Sequence, residues 1–295
     1  MSDQVFPDQR IISAESAEIR RFAGFDKHAV QAVAERVLSV LSPLLLLGLW
    51  EALVLIGLLD ARFFPAPSDV MGAFWKMAVS VQATDYGTVV TPGLLAAHVG
   101  TSMVRALLGF ALGAIPGIAV GLTLGLFPIV RAALWPMMGA LYPIPKIAIL
   151  PLVMLIFGLG ESSKWVIIAI GVFFPLVINS MVGVMSIDKI YHDVGRNFGA
   201  SRLDRYLTIA LPGALPLILA GVRLGWGTAL LLMVTAEFVA SKVGLGYLIW
   251  QGWQSFAIEQ MYVGIILVSF IGYLSFLLLD QAARLIVPWK PEAVE

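Results

Sequence analysis

Several charged residues lie inside long apolar stretches of the sequence, where ionisable groups are costly and often functional, and three of them are candidates for a shared role. Lys146 lies near the middle of one stretch, Arg223 near the start of another, and Glu237 near the end of that second stretch. A lysine at the centre of a membrane helix costs about 2.5–3.5 kcal/mol, so it needs an acid, a carbonyl or an aqueous cavity beside it. All three are candidates for the lining of a solute pathway, with an anion-attracting role for Lys146. The alternative for Lys146 is a structural lysine that donates to freed backbone carbonyls or extends toward the membrane surface.

The sequence lacks the residue patterns of nucleotide-binding, hydrolytic and metal-dependent sites. It has no G-x-x-x-x-G-K-[ST] loop to hold ATP phosphates, no H-E-x-x-H pair and no G-x-S-x-G elbow. Its three histidines, His28, His98 and His192, are far apart, and we expect no more than a surface role for them. There is no cysteine, which excludes disulfides and thiol chemistry. We therefore expect no cofactor, no metal site and no enzymatic activity in this chain.

The composition predicts a protein that spans a membrane. The 295 residues are 59% hydrophobic and only 13% charged, and the mean hydropathy is +0.91. Soluble domains carry about 25% charged residues, so a soluble fold is excluded. The net charge is zero and there is no basic block, which argues against nucleic acid as a partner. The expected fold class is all-α and polytopic, in contact with membrane lipid.

Apolar runs long enough to cross about 30 Å of hydrocarbon predict six transmembrane helices. Their expected ranges are 37–59, 99–127, 133–158, 165–185, 214–240 and 261–287. One membrane domain then occupies 37–290, between a polar N-terminal tail, 1–36, and a short tail, 291–295. The N-terminal tail is either unstructured or carries a weak amphipathic helix at the membrane surface. Glu51, within the first span, either marks a pathway or faces a partner helix.

Glycine and proline patterns set two of these spans apart. The second span has a glycine at every fourth position, which lets another helix approach closely, within the subunit or between subunits. This glycine stripe comprises Gly109, Gly113, Gly117, Gly121 and Gly125. The third span contains four prolines, Pro136, Pro143, Pro145 and Pro151, so we expect a broken helix whose backbone needs protein or water around it. Between the first two spans, the pattern P-x-P-S predicts a short surface helix with Ser68 as its N-cap.

The longest polar interruption in the second half of the chain, 193–216, separates the fourth and fifth spans. Gly199 interrupts its helical periodicity, and Ser201 and Asp204 form a capping-box pattern that opens a second helix. Pro212 stands where a new helix would begin. The pattern predicts two short helices that meet at a bend, a shape suited to docking into a groove on another protein.

Charge distribution predicts the orientation of these helices. Six spans place both termini on one side of the membrane. Of the 19 lysine and arginine residues, twelve then lie on the side of the termini, four on the other side, and three within spans. The positive-inside rule makes the side of the termini cytoplasmic, which places the loop 193–216 in the cytoplasm.

This loop resembles the E-A-A-x3-G-x9-I-x-L-P loop of ABC importer permeases. Gly199 takes the glycine position and Ile209 begins the I-x-L-P element, whereas Asp193-Val194-Gly195 replaces E-A-A. Two further patterns, F-G-x-G-E-x-S-K at 157–164 and S-x-x-G-L-G-Y-L-I at 241–249, are similar to the nitrate, sulfonate and taurine branch of that family.

The resemblance implies a type I ABC importer-like transmembrane domain in the bacterial inner membrane. It implies a homodimer of this permease, two cytoplasmic ABC ATPase subunits and an extracytoplasmic solute-binding protein, with ATP hydrolysed in the separate subunits. The solute implied is a small anion such as a sulfonate, taurine or nitrate. The expected ATPase-coupling loop is 189–212, with candidate residues Asp193, Gly199, Ser201, Arg202, Asp204 and Pro212. The alternative function is an ion-coupled secondary transporter or channel that acts without an ATPase.

Overall fold

The structure is a computed structural model that describes residues 27–84 and 87–288. The expectation of a tail or amphipathic helix before residue 27, and of a tail at 291–295, lies outside the described residues. The described chain falls into two compact units divided between Ser68 and Asp69.

The first unit consists of helix α1, Lys27–Leu55, and the turn that follows it. The helix begins ten residues before the predicted first span, but its membrane-crossing part is Val37–Leu55, close to that prediction. Glu51 Oε2 accepts a hydrogen bond from the Ser68 amide at 3.1 Å, and Oε1 accepts one from the Ser68 hydroxyl at 2.8 Å. The surface helix begins at Pro67 rather than after Ser68, so the predicted N-cap role of Ser68 is replaced by a donor role toward Glu51.

The second unit is helical apart from one short hairpin. After α2, Pro67–Ala78, which starts at the unit boundary, strands β1, Val79–Thr84, and β2, Gly87–Pro92, pair antiparallel with Val79 opposite Pro92. The hairpin lies in the connection between the first two spans, for which the sequence predicted only the surface helix. The helices that follow are α3, Leu94–Leu126; α4, Pro128–Leu141; α5, Lys146–Phe157; α6, Glu161–Met185; α7, Lys189–Asn197; α8, Arg202–Asp204; α9, Leu211–Ala240; α10, Leu245–Gln254; and α11, Ile258–Ile286.

Among the described residues, five helices are long and apolar enough to cross a membrane, and the count is six if a bent pair of helices forms one span. The bent pair is α4 and α5, which meet at 97° where the sequence predicted a broken third span. Pro143 and Pro145 lie in the break and cannot donate backbone hydrogen bonds, which accounts for the bend. The prediction of an all-α membrane protein is therefore confirmed, with five spans or six if the bent pair is one span, and the predicted break of the third span is present.

The glycine stripe of α3 packs within the subunit, against α6. A Cβ atom at Gly113 would lie 2.4 Å from the carbonyl oxygen of Ala169, and one at Gly121 would lie 2.5 Å from that of Val177. Only glycine allows the two backbones to approach this closely. Helix α9 lies against the same pair, and the buried core of the three helices includes Ile168, Val172, Leu176, Trp226 and Met233. The three helices thus form the frame that positions both sites described below.

Candidate functional site

The loop between α6 and α9 folds as two helical segments joined at a glycine, as the sequence predicts. Asp188 caps α7 by accepting a hydrogen bond from the Ile190 amide at 3.1 Å, so the first segment starts before Asp193. It ends where Gly199 takes a φ of +72°, a conformation that favours glycine. The Ala200 amide donates to the Gly195 carbonyl at 2.9 Å and closes the turn.

The predicted capping box is present at the start of the second segment. The Asp204 amide donates to Ser201 Oγ at 3.1 Å, and the Ser201 amide donates to Asp204 Oδ2 at 3.0 Å. The helix then passes through a π-turn, Arg205–Ala210, directly into α9. Pro212 is the second residue of α9, so the predicted helix start is confirmed, although the π-helical segment leads into it without a break. A proline there has no amide to donate four residues back, which is compatible with the wider π-type bonding just before it.

The loop presents a row of exposed apolar side chains. Ile190, Val194 and Phe198 follow one another at intervals of four on α7, and Tyr191 lies beside them. Phe198 is 86% exposed. Asp193 and Arg202 are also exposed on this loop. A contiguous exposed apolar row on a capped, bent helix is typical of a surface that another protein covers.

The loop is held against the membrane helices by close contacts. A Cβ atom at Gly195 would lie 2.6 Å from Ile209 Cδ1, so α7 and the π-turn touch there. The Tyr206 hydroxyl donates to the Ala119 carbonyl of α3 at 3.1 Å. A cleft of about 430 Å³ opens at the base of the loop, lined by residues that include Asp188, Tyr191 and Pro212. A displacement of the loop would therefore act on both α3 and α9.

Two of the three predicted pathway residues are bonded within the bundle. Lys146 Nζ donates to the carbonyl oxygens of Tyr142 at 2.7 Å, Ile144 at 2.8 Å and Leu141 at 3.3 Å, and lies 4.7 Å from the ring centre of Phe174. These are the freed carbonyls of the bend, the contacts that the structural alternative requires. Arg223 of α9 is paired with Asp280 of α11, and both side chains are about half exposed. Their roles in a pathway stay predictions.

The third, Glu237, belongs to a buried ion cluster that the sequence did not predict. Arg105 of α3 donates through Nη1 to Glu237 Oε1 at 2.7 Å, and through Nε and Nη2 to both carboxylate oxygens of Glu161 at 2.6 Å. Lys164 Nζ also donates to Glu161 Oε1, at 2.9 Å. The side chain of Glu237 is fully buried, those of Arg105 and Lys164 are about 5% exposed, and that of Glu161 is 45% exposed.

The same cluster holds the turn that follows α9. Ser102 Oγ donates to Glu237 at 2.8 Å and accepts from the Leu245 amide at 2.7 Å, while the Gly246 amide donates to Glu237 Oε2 at 2.7 Å. Gly244 has a φ of +136°, and a Cβ there would lie 2.4 Å from the Glu237 carboxylate. Gly244 is thus required because the backbone rests directly on the carboxylate, and Gly246 because a Cβ there would lie 2.4 Å from the Val234 carbonyl oxygen.

One histidine contributes to this turn, contrary to expectation. His98 is buried, and its Nδ1 lies 2.9 Å from both the carbonyl oxygen and the amide nitrogen of Gly244. The surface role expected for His98 is therefore wrong, because α3 extends five residues further toward its N-terminus than predicted and carries this residue into the interior. The side chains of His28 and His192 lie outside the described residues.

Comparison with known proteins decides the family. Residues 109–290 match the family described as the binding-protein-dependent transport system inner membrane component. The chain belongs to this family. The taurine transport system permease protein TauC of Escherichia coli (strain K12) is 31% identical, over 86% of this chain and 90% of that protein. The putative aliphatic sulfonates transport permease protein SsuC of the same organism is 32% identical, over 87% and 93%.

Two further comparisons extend this result. The nitrate import permease protein NrtB of Leptolyngbya laminosa is 30% identical, over 77% of this chain and 73% of that protein. An inward-facing structure of the MetNI methionine ABC transporter superposes with a TM-score of 0.55 at 21% identity, over 65% of this chain and 96% of its own. The predicted resemblance and fold are confirmed, and the chain is a multi-pass transport permease.

The folded permease brings together the two sequence patterns at 157–164 and 241–249. The pattern at 157–164 supplies Glu161 and Lys164, and the pattern at 241–249 supplies the turn that rests on Glu237. Arg105, which links them, is one of the three cations that the orientation count places within spans. Its signal in the sequence was weak, because one arginine in an apolar helix does not reveal which of several acids it meets. Three helices had to be packed before the partners became evident.

Proposed function

We propose that this permease forms the solute pathway of an ATP-driven importer and that the loop 189–212 receives the motion of a separate ATPase subunit. The observation that carries the proposal is the exposed apolar row on α7. Such a row costs free energy in water and is stabilised when a protein groove covers it. The chain has no phosphate-binding loop of its own, so ATP hydrolysis belongs to the partner.

The assembly we propose contains two copies of the permease, two cytoplasmic ABC ATPase subunits and an extracytoplasmic solute-binding protein. The family description names binding-protein dependence and an inner membrane location, which supports the solute-binding protein as a partner. The excess of basic residues on the side of the termini supports a cytoplasmic loop and cytoplasmic termini. ATP binding would bring the ATPase subunits together, and the contacts of Tyr206 and Gly195 would pass that motion to α3 and α9.

The solute we propose is a small anion such as a sulfonate, taurine or nitrate. Three relatives that align over most of their length carry taurine, aliphatic sulfonates or nitrate in their names. Uptake of taurine, an aliphatic sulfonate and nitrate can be compared in vesicles that contain the complete complex.

The alternative, an ion-coupled transporter, needs an acid that can load and release an ion. Glu237 is held by Arg105, Ser102 and the Gly246 amide in a fully buried position. Asp280 is paired with Arg223. Both carboxylates are committed to structural partners, which favours the ATP-driven function.

Two exposed phenylalanines in different parts of the bundle provide the test. Phe198 lies on the loop, and Phe256, 84% exposed, lies in the turn between α10 and α11. We expect the wild type to co-purify with an ATPase subunit, Phe198→Ala to lose much of it, and Phe256→Ala to retain it. Recovery of the chain alone, with uptake that continues without ATP, would refute the proposal.

A further inference from the structure

The buried ion cluster joins three membrane helices at one end of the bundle. Arg105 lies on α3, Glu161 and Lys164 on the first turn of α6, and Glu237 on the last turn of α9. Arg105 Nη1 also donates to the Val243 carbonyl at 2.6 Å. A single guanidinium therefore contacts the ends of two other helices and the turn 241–246.

Charge balance explains how such a cluster is tolerated at the end of apolar helices. Two cations, Arg105 and Lys164, face two carboxylates, Glu161 and Glu237. The Glu237 carboxylate accepts from the Arg105 guanidinium, the Ser102 hydroxyl and the Gly246 amide, so both of its buried oxygens are bonded. Buried ion pairs of this kind contribute little to net stability compared with apolar packing, but they specify one geometry.

The opposite end of the bundle differs in kind. There the loop contacts α3 through the Tyr206 hydroxyl, an uncharged donor. The bent span also lacks a comparable lock, because the hydrogen bonds of Lys146 go to carbonyls of its own bend. Within the described residues, the cluster joins α3, the start of α6 and the end of α9 by directional charged bonds, whereas at the loop end the same helices are joined by apolar packing that includes Leu122, Val184 and Ala214.

We propose that Arg105 is a positioning residue for transport: it locks the turn 241–246 and the start of α6 onto α3. The turn, the start of α6 and the Arg105 region of α3 then move as one rigid body while the pathway switches between its inward-facing and outward-facing states. The inference rests on the proposed ATP-driven function. It assigns no solute contact to Arg105. It predicts that the distance between the two turns joined by the cluster is the same in every nucleotide state.

The natural absence of cysteine allows this distance to be measured directly. Leu159 and Lys242 are exposed residues on the two turns. Leu159→Cys and Lys242→Cys together place two spin labels on each permease copy, and complexes assembled from labelled chains mixed with an excess of unlabelled chains carry both labels on one copy only. We expect a single narrow distance distribution that is unchanged between nucleotide-free and ATP-trapped complexes. A distribution that shifts on ATP trapping would overturn the proposal.

Loss of Arg105 alone would confuse folding with positioning, because it leaves Glu237 buried without its cation. The double variant Arg105→Met/Glu237→Gln removes both charges, while Glu161 keeps Lys164 as its partner and the introduced amide keeps the Ser102 hydroxyl and the Gly246 amide within bonding distance. We expect it to assemble with the ATPase and hydrolyse ATP, yet to show a broadened label distribution and lost uptake. Wild-type uptake with a narrow distribution would mean that the cluster only balances charge, and would overturn the proposal.

Two more variants keep the test decisive. Glu161→Gln replaces the half-exposed carboxylate with a neutral amide, which weakens its bonds to Arg105 and Lys164 but leaves the Arg105–Glu237 pair intact. If the double variant does not assemble, Glu161→Gln takes its place, and we expect it to broaden the distance distribution. An unchanged distribution in Glu161→Gln would then overturn the proposal. The matched control is Arg223→Met/Asp280→Asn, which removes another pair between helices of the same chain and should leave the distribution unchanged. Retention of the ATPase in all complexes separates this inference from failure of the importer assembly itself.

Discussion

The packing of α3 against α6 predicts opposite effects for two glycine-to-alanine substitutions on the same helix. At Gly113, the new Cβ would lie 2.4 Å from the Ala169 carbonyl oxygen and 2.9 Å from its Cα. Both are backbone atoms, which have no side-chain rotation to relieve the contact. At Gly100, nothing lies within 4 Å of the new Cβ. The pair therefore separates close packing from helix propensity.

The magnitudes follow from these distances. Each substitution gains about 0.5–1 kcal/mol because alanine loses less backbone entropy in a helix. Gly113→Ala must in addition push the helices apart by about 1 Å to restore ordinary van der Waals contact, and overpacking of this kind costs about 1–3 kcal/mol. Because the propensity gain is common to both, the two variants should differ by about 1–3 kcal/mol. Gly117→Ala, whose Cβ would lie 2.9 Å from the Phe173 carbonyl oxygen, should fall between them.

The assay is thermal unfolding of the purified chain in one detergent, with wild type and the three variants measured together. A difference of about 1–3 kcal/mol corresponds to a difference in Tm of several degrees for a chain of this size. We expect Gly100→Ala at or above the wild type, Gly117→Ala below it and Gly113→Ala lowest. Equal Tm values for Gly100→Ala and Gly113→Ala would refute the close approach of the two helices.

Three further predictions concern the loop, the bend and the cluster. Gly199→Ala places a side chain at φ +72°, at a cost of about 1–2 kcal/mol. Amide hydrogen exchange in the loop should therefore accelerate about 5–30-fold. Gly195→Ala is the control: its new Cβ meets only the movable end of the Ile209 side chain, so exchange should not accelerate. Lys146→Met removes the donor to three carbonyls and should lower the Tm, whereas Lys146→Arg should keep the wild-type Tm. If Lys146 instead binds solute, Lys146→Met would leave the Tm unchanged and raise only the solute concentration for half-maximal uptake. Gly244→Ala is strained by about 1–3 kcal/mol at φ +136° and also strikes the Glu237 carboxylate, so a wild-type Tm would contradict the observed turn.

Local patterns predicted what depends on local chemistry. Ser201 and Asp204 form the predicted capping box because each satisfies the other's backbone amide within four residues. The bend at Gly199 and the break of the third span were also predictable, since glycine and proline constrain their own dihedral angles. Membrane location and the number of spans followed from apolar length alone.

Only the tertiary structure decided which distant residues meet. The glycine stripe predicted a close contact, but its partner on α6 rather than on a second subunit depended on the packing of whole helices. Glu237 was recognised as a costly charge, whereas its pairing with Arg105, 132 positions earlier, was not readable from the sequence. The physical reason is that the residue type alone determines the free-energy cost of burying a charge. The interactions that offset this cost come from whichever donors the fold brings within hydrogen-bonding distance.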